Sequence, residues 1–173
     1  MEWWRISKYD PAFRDANYVY QRNEWTGVTD IGRAFDGTTL EVNTYLATET
    51  AHVEAVRAFM ADADVDVLTV TNFEPSSGIE FLKDCGLPDL ADLSRRTEWL
   101  TDGVNLSGLA LDETLRLLLR QVLWCRLVHS DRFVVDIDEY LYVSIGTVAD
   151  SSRAIARTQE LGLFVEKARD PST

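Results

Sequence analysis

The stretch Trp124–Gly146, WCRLVHSDRFVVDIDEYLYVSIG, decides how the chain is read. It holds three short apolar runs, WCRLVH, RFVVDI and YLYVSIG, rich in the β-branched and aromatic residues that suit a pleated surface. Ser130-Asp131 separates the first two runs and Asp138-Glu139 the second two. The spacing therefore predicts a meander of antiparallel strands.

Working outward, Asp112 is the expected cap of a helix whose Leu115, Leu118, Leu119, Val122 and Leu123 form an apolar stripe. On the other side, helix is predicted from Ser151 to Glu160, with Gly162 closing it and LFVEKA as a last strand. Nearer the amino end, VLTVTNF (67–73) reads as a strand. From Leu40 to Ala63 apolar residues recur at helical spacing, with Thr38 or Thr39 as N-cap. Residues 2–8 alternate as a first strand, with Trp3, Arg5 and Ser7 on one side and Trp4, Ile6 and Lys8 on the other, until Asp10-Pro11 ends it. Residues 12–24 show no period and read as an ordered loop or hairpin. Pro75–Gly108 is the least regular part, with turns expected near Phe81 and Leu90–Leu93. The expectation is an α+β fold, a mainly antiparallel sheet with two or three helices packed on one face, in a single domain over residues 1–173.

The 173 residues, 46% of them hydrophobic, suffice for a core without staples. Cys85 and Cys125 form no CxxC pair, so neither a disulfide framework nor a zinc site is expected, and a reducing cytoplasm is the expected location. No basic leader precedes an apolar run, and no stretch approaches the roughly 20 apolar residues of a membrane helix.

The net charge is −12, and it is unevenly placed. Between Ala34 and Asp92 twelve acids face only Arg57 and Lys83, so this third of the chain carries −10. Such a field repels nucleic acid and attracts a basic protein surface. Its alternative role is to keep the protein in solution.

Helical spacing puts Glu49 inside the stripe of Val42, Leu46, Val53, Val56 and Met60, with His52 on the same side. A carboxylate there is either a general base in a cleft or a structural group held by an arginine or an indole. Asp136, Asp138 and Glu139 suit either a divalent cation or the solvent face of a hairpin. His129 lacks a GxSxG partner, and Cys125, between Trp124 and Arg126, reads as a buried, inert thiol. P-loop, GxGxxG and HExxH patterns do not occur, so no catalytic residue, metal or cofactor is assigned.

The first strand and its loop carry the remaining signal. Trp3, Trp4 and Trp25 flank Arg5, Arg14 and Arg22, the residue types of interface anchors, although the same aromatics also serve to staple a loop to its domain. WWRISKYDPAFRD, with YQRNEWTGVTDIG and the later LGLFVEKARDPS, resembles an uncharacterised family of small bacterial proteins that open W-R-I-x-K-Y-x-P-x-x-R-D. Some of those proteins are candidate immunity proteins of polymorphic or contact-dependent toxins, and the family brings no catalytic residues.

The resemblance implies a non-catalytic, toxin-neutralising protein; with the charge it gives a partner-binding set of Glu41, Glu49, Glu54, Asp62, Asp64, Asp66, Trp3, Arg5 and Trp25. Two alternatives stand beside it. One is a small enzyme using Glu49 and His52 as acid and base in a Trp-lined cleft, and the other is a structural or regulatory homodimer.

Overall fold

The computed structural model describes residues 1–75, 79–88, 95 and 97–171. Along the chain run β1 (Glu2–Ser7), β2 (Ala34–Phe35), β3 (Thr38–Thr39), α1 (Val42–Asp62), β4 (Leu68–Pro75) and β5 (Asn105–Leu106). They are followed by α2 (Gly108–Leu119), β6 (Leu123–His129), β7 (Phe133–Asp138), β8 (Tyr142–Thr147), α3 (Ser152–Glu160) and β9 (Phe164–Ala168). Seven strands form one sheet in the order β5-β4-β6-β7-β8-β1-β9, and every neighbouring pair is antiparallel. The fold is α+β, with the predicted meander β6-β7-β8 at its centre.

Alternation along each strand divides the sheet into two faces. Val70, Leu127, Val135 and Ile145 lie in register on the face that the helices cover, with Ile6 on the same face opposite Val143, and all are buried. Phe59, Met60, Leu115 and Leu118 pack onto it from α1 and α2. Burying a side chain of this kind contributes roughly 1.5–3 kcal/mol, so this single layer of helix on sheet is the main source of stability. The opposite face carries Trp3 and Arg5 of β1, Trp124 and Arg126 of β6, Asp136 of β7 and Tyr142 of β8, all of them half-buried.

Several boundaries differ from expectation for local reasons. Thr38 and Thr39 do not cap α1; they form β3, which returns on β2 through Asp36 and Gly37 at φ +49° and +82°. Two successive left-handed residues of the type Asp-Gly make the tight hairpin turn that matches strand twist. Glu41 takes the cap position instead. Asp112 lies within α2 rather than ahead of it, because Ser107 is the cap; Asp112 accepts from Arg57 Nε at 2.7 Å and ties α1 to α2. Val122 and Leu123 are buried but leave the helical stripe, since the chain turns at Gln121 (φ +58°) and Leu123 opens β6.

At the end of α3, the Leu163 N–H donates to the Thr158 carbonyl and Gly162 sits at φ +81°, so the expected glycine closure is present. Phe81 falls in a short turn over Glu80–Cys85 that buries Leu82, while the turn expected at Leu90–Leu93 lies outside the described residues.

The loop after β1 is fastened by its aromatics. Asp10 accepts from the Ala12 N–H and caps the turn Pro11–Phe13. The Lys8 ammonium lies 4.2 Å from the Tyr9 ring centroid, 4.3 Å from that of Trp25 and 2.9 Å from Glu24. Trp25 leans on Tyr45 of α1 with ring centroids 5.9 Å apart. A cation between rings and carboxylate holds the loop to the domain.

Candidate functional site

Glu49 is where the helical spacing put it: inside, with no exposed surface. Arg120 grips it from α2, Nε donating to Oε1 at 2.5 Å and Nη2 to Oε2 at 2.8 Å, and Arg116, one turn earlier, donates to Oε2 at 2.7 Å. Three charge-assisted bonds hold the carboxylate. Burial, with this carboxylate beside it, holds the Tyr45 hydroxyl well above its ordinary range. Glu49 is thus removed from any partner-facing surface, which corrects its place in the expected binding set.

His52 is equally enclosed. Its Nδ1 lies 2.8 Å from the Thr48 carbonyl and so carries the proton, and burial lowers its pKa to about 4. The pair expected to face a cleft as acid and base has no exposed surface on either member.

The acids of residues 34–92 do not form one sheet of charge. Glu54 pairs with Arg157 at 3.1 Å, Asp62 with Arg153 at 2.9 Å, and Glu80 with Lys83. Asp62 also accepts the Ala154 N–H, joining the end of α1 to the start of α3. Among the described residues, the unpaired, exposed acids of this segment are Glu74, beside Trp124 on the sheet, and those at the two ends of α1, which its 21 residues separate by about 30 Å.

At its carboxyl end lie Asp64 and Asp66; bonds from Arg132 to the Ala63 carbonyl and from His129 to the Val67 carbonyl bring the β6-β7 turn with Asp131 to this end, and the Val148 N–H bond to the Arg132 carbonyl brings the segment that leads to Asp150. Asp131 and Asp150 lie outside the acidic third of the sequence; only the pairing of Phe133 with Thr147 reveals that they belong with it.

At the amino end of α1, Asp36 and Glu41 are exposed and have no ion-pair partner among the described residues. Asp84 joins them, because Gly86 sits close against Val42 at the first turn of the helix. Trp25 stands in the same region through its contact with Tyr45. Asp36 lines a cleft together with Trp25, and Glu41 and Asp84 stand exposed at the same end of α1, where the cations Lys8, Arg33 and Lys83 are already engaged by Glu24, Asp30 and Glu80.

Trp3 and Arg5 lie elsewhere, on the face of the sheet opposite α1. There Arg5 and Arg14 both reach Glu166, at 3.1 and 3.2 Å, and Arg14 donates to the Tyr142 hydroxyl at 3.4 Å. Trp3 crosses Gly146, where a Cβ would lie 2.8 Å from the indole. Arg126 pairs with Asp136 at 2.7 Å and approaches Asp170 at 3.8 Å, beside a shallow cleft of about 400 Å³ walled by Trp124, Glu74 and Pro171.

Asp136 and Asp138 are thus spent on Arg126 and on the Glu139 N–H. Among the described residues no group of His, Cys, Asp and Glu is arranged to hold a metal. Burial pushes the Cys125 thiol up to about 12. No helix among the described residues is long and apolar enough to cross a membrane.

Compared with known proteins, the chain matches no family model, no curated protein and no solved structure.

Proposed function

We propose that the protein works by binding a basic protein and covering its active surface, as a cytoplasmic immunity protein blocks a cationic toxin. The observation that carries this reading is the exposed, unpaired Asp36 in one cleft with Trp25, with Glu41 and Asp84 exposed at the same amino end of α1. Unpaired carboxylates draw in a cationic surface and speed encounter, and a fixed aromatic gives the contact its lasting part. The reading also draws on the resemblance of the amino-terminal stretch to candidate immunity proteins. Glu54 and Asp62 are already paired with Arg157 and Arg153, and Asp64 and Asp66 lie at the far end of α1, so these four stay outside the contact.

The test is to mix the protein with the product of the toxin-like gene beside its own. The expected result is a complex that blocks the toxin's activity and weakens about tenfold when salt is raised from roughly 50 to 200 mM, as exposed charges are screened. A mixture that stays as two separate species at low salt would rule the reading out.

A further inference from the structure

Between the β2-β3 hairpin and the first turn of α1 lies a cleft of about 260 Å³. It is smaller than the roughly 300–1,000 Å³ of pockets that hold cofactors and small molecules. One long side chain fills such a space. Trp25 and Phe35 give it two apolar walls, and Glu24, Asp36, Thr38 and Thr44 are lining residues whose side chains carry oxygen acceptors. Its lining, among the described residues, includes no lysine or arginine.

Charge decides which kind of side chain enters. Glu24 is already held by Lys8 at 2.9 Å and by the Tyr20 hydroxyl at 2.6 Å, whereas Asp36 has no such partner and Glu41 stands next to the lining residue Leu40. The amino end of α1 contributes roughly half a positive charge and Arg22 acts on Glu24 from nearby, while Lys8 and Arg33 are already paired with Glu24 and Asp30, so the two free carboxylates leave the region net negative. The ligand is therefore a cation. It must also be amphipathic, with a stem for the two rings and a head for the carboxylate, as in lysine and arginine. Acceptors spread over a carboxylate and two hydroxyls suit the five fixed donors of a guanidinium better than a compact ammonium. The same chemistry already operates on two of the lining residues, since Lys8, itself outside the lining, lies between Trp25 and Glu24.

We infer that this cleft receives one arginine side chain of the basic partner, its stem along Trp25 and Phe35 and its guanidinium against Asp36. The inference rests on the partner reading above and names its anchor.

The test needs no partner protein. The indole N–H resonance of Trp25 is followed while N-acetyl-arginine amide, N-acetyl-lysine amide or the neutral isostere N-acetyl-citrulline amide is added at constant ionic strength. The expected result is a saturable shift with arginine, a response at least threefold weaker with lysine and none with citrulline. Asp36→Asn, which keeps a residue tolerant of φ +49°, weakens the arginine response tenfold or more at an unchanged Tm. A flat titration with arginine, or an equal response to citrulline, overturns the assignment. If a basic toxin still forms its complex in that case, the partner reading survives without this anchor; arginine binding without any complex sinks the partner reading and leaves the cleft.

Discussion

Glu49 of α1 and Arg120 at the end of α2 face each other through a two-point fork, and neither side chain has exposed surface. A buried pair of this kind adds little over a well-packed apolar pair but is costly to break on one side, because the survivor is left charged and dry. Glu49→Ala is therefore expected to lose about 3–5 kcal/mol in urea unfolding. The double exchange Glu49→Leu with Arg120→Met should recover most of that loss, since Arg116 is partly exposed and turns to solvent. Two equal losses in the single and double variants would mean that the fork is not the unit of stability.

His52 gives a pH dependence with a defined sign. Its folded pKa, about 4, lies below the ordinary value of 6.5, so between those values the unfolded chain binds the extra proton. Stability is complete above about pH 6.5 and falls as pH drops toward 4, by up to about 3 kcal/mol. Comparing chemical denaturation at pH 7 and 4.5 in wild type and in His52→Gln isolates the effect. The variant should show the shallower loss, and identical losses would exclude the histidine as its source.

Gly146 keeps room for Trp3. An added Cβ would lie 2.5 Å from Met1 Sδ and 2.8–2.9 Å from two atoms of the indole, and only the methionine end yields easily. Gly146→Ala should cost about 1–3 kcal/mol by overpacking and expose the Trp3 ring, which a red-shifted fluorescence maximum would report. An unchanged spectrum and Tm would show that the ring moves aside freely.

The two acidic ends of α1 should act differently in recognition. They lie about 30 Å apart, several times the Debye length of about 8 Å at physiological salt, so charge at one end is nearly invisible at the other. Asp36→Asn with Glu41→Gln is expected to slow association with a basic partner about tenfold, as removal of steering charges does. Asp64→Asn with Asp66→Asn should change the rate less than twofold. Stopped-flow mixing of both variants decides which end meets the partner.

Cys125 should be chemically silent. With its thiol near 12, about one molecule in ten thousand carries the thiolate at pH 8. Burial also raises Cys85. Ellman's reagent should label neither in the folded protein on the timescale that labels both in urea. Fast native labelling of Cys125 would mean that β6 opens far more often than its buried register implies.

The parts legible in the sequence are those fixed by local period. Alternation located β1 and the meander, and helical spacing located α1, α3 and the interior position of Glu49. Local pattern misled where two signals competed. Thr38 and Thr39 look like caps until Asp36-Gly37 is read as a hairpin turn, a signal the sequence did contain. Val122 and Leu123 continue a leucine-rich run, and an apolar run has no period that separates the end of a helix from the start of a strand. Long-range facts had no local trace at all. Nothing near Glu49 names Arg116 and Arg120, and nothing near Asp64 names Asp131 and Asp150. Counting charge along the chain gave its total but not which acids the protein spends on its own arginines.

Strand β1 sits between β8 and β9, and the Arg5–Glu166 bond spans 161 positions. The segment made early therefore waits, unpaired on both sides, until β8 and then β9 have left the ribosome. Such a late-closing seam implies slow maturation, and a nascent chain that carries two tryptophans in the open while it waits is a natural client for a chaperone.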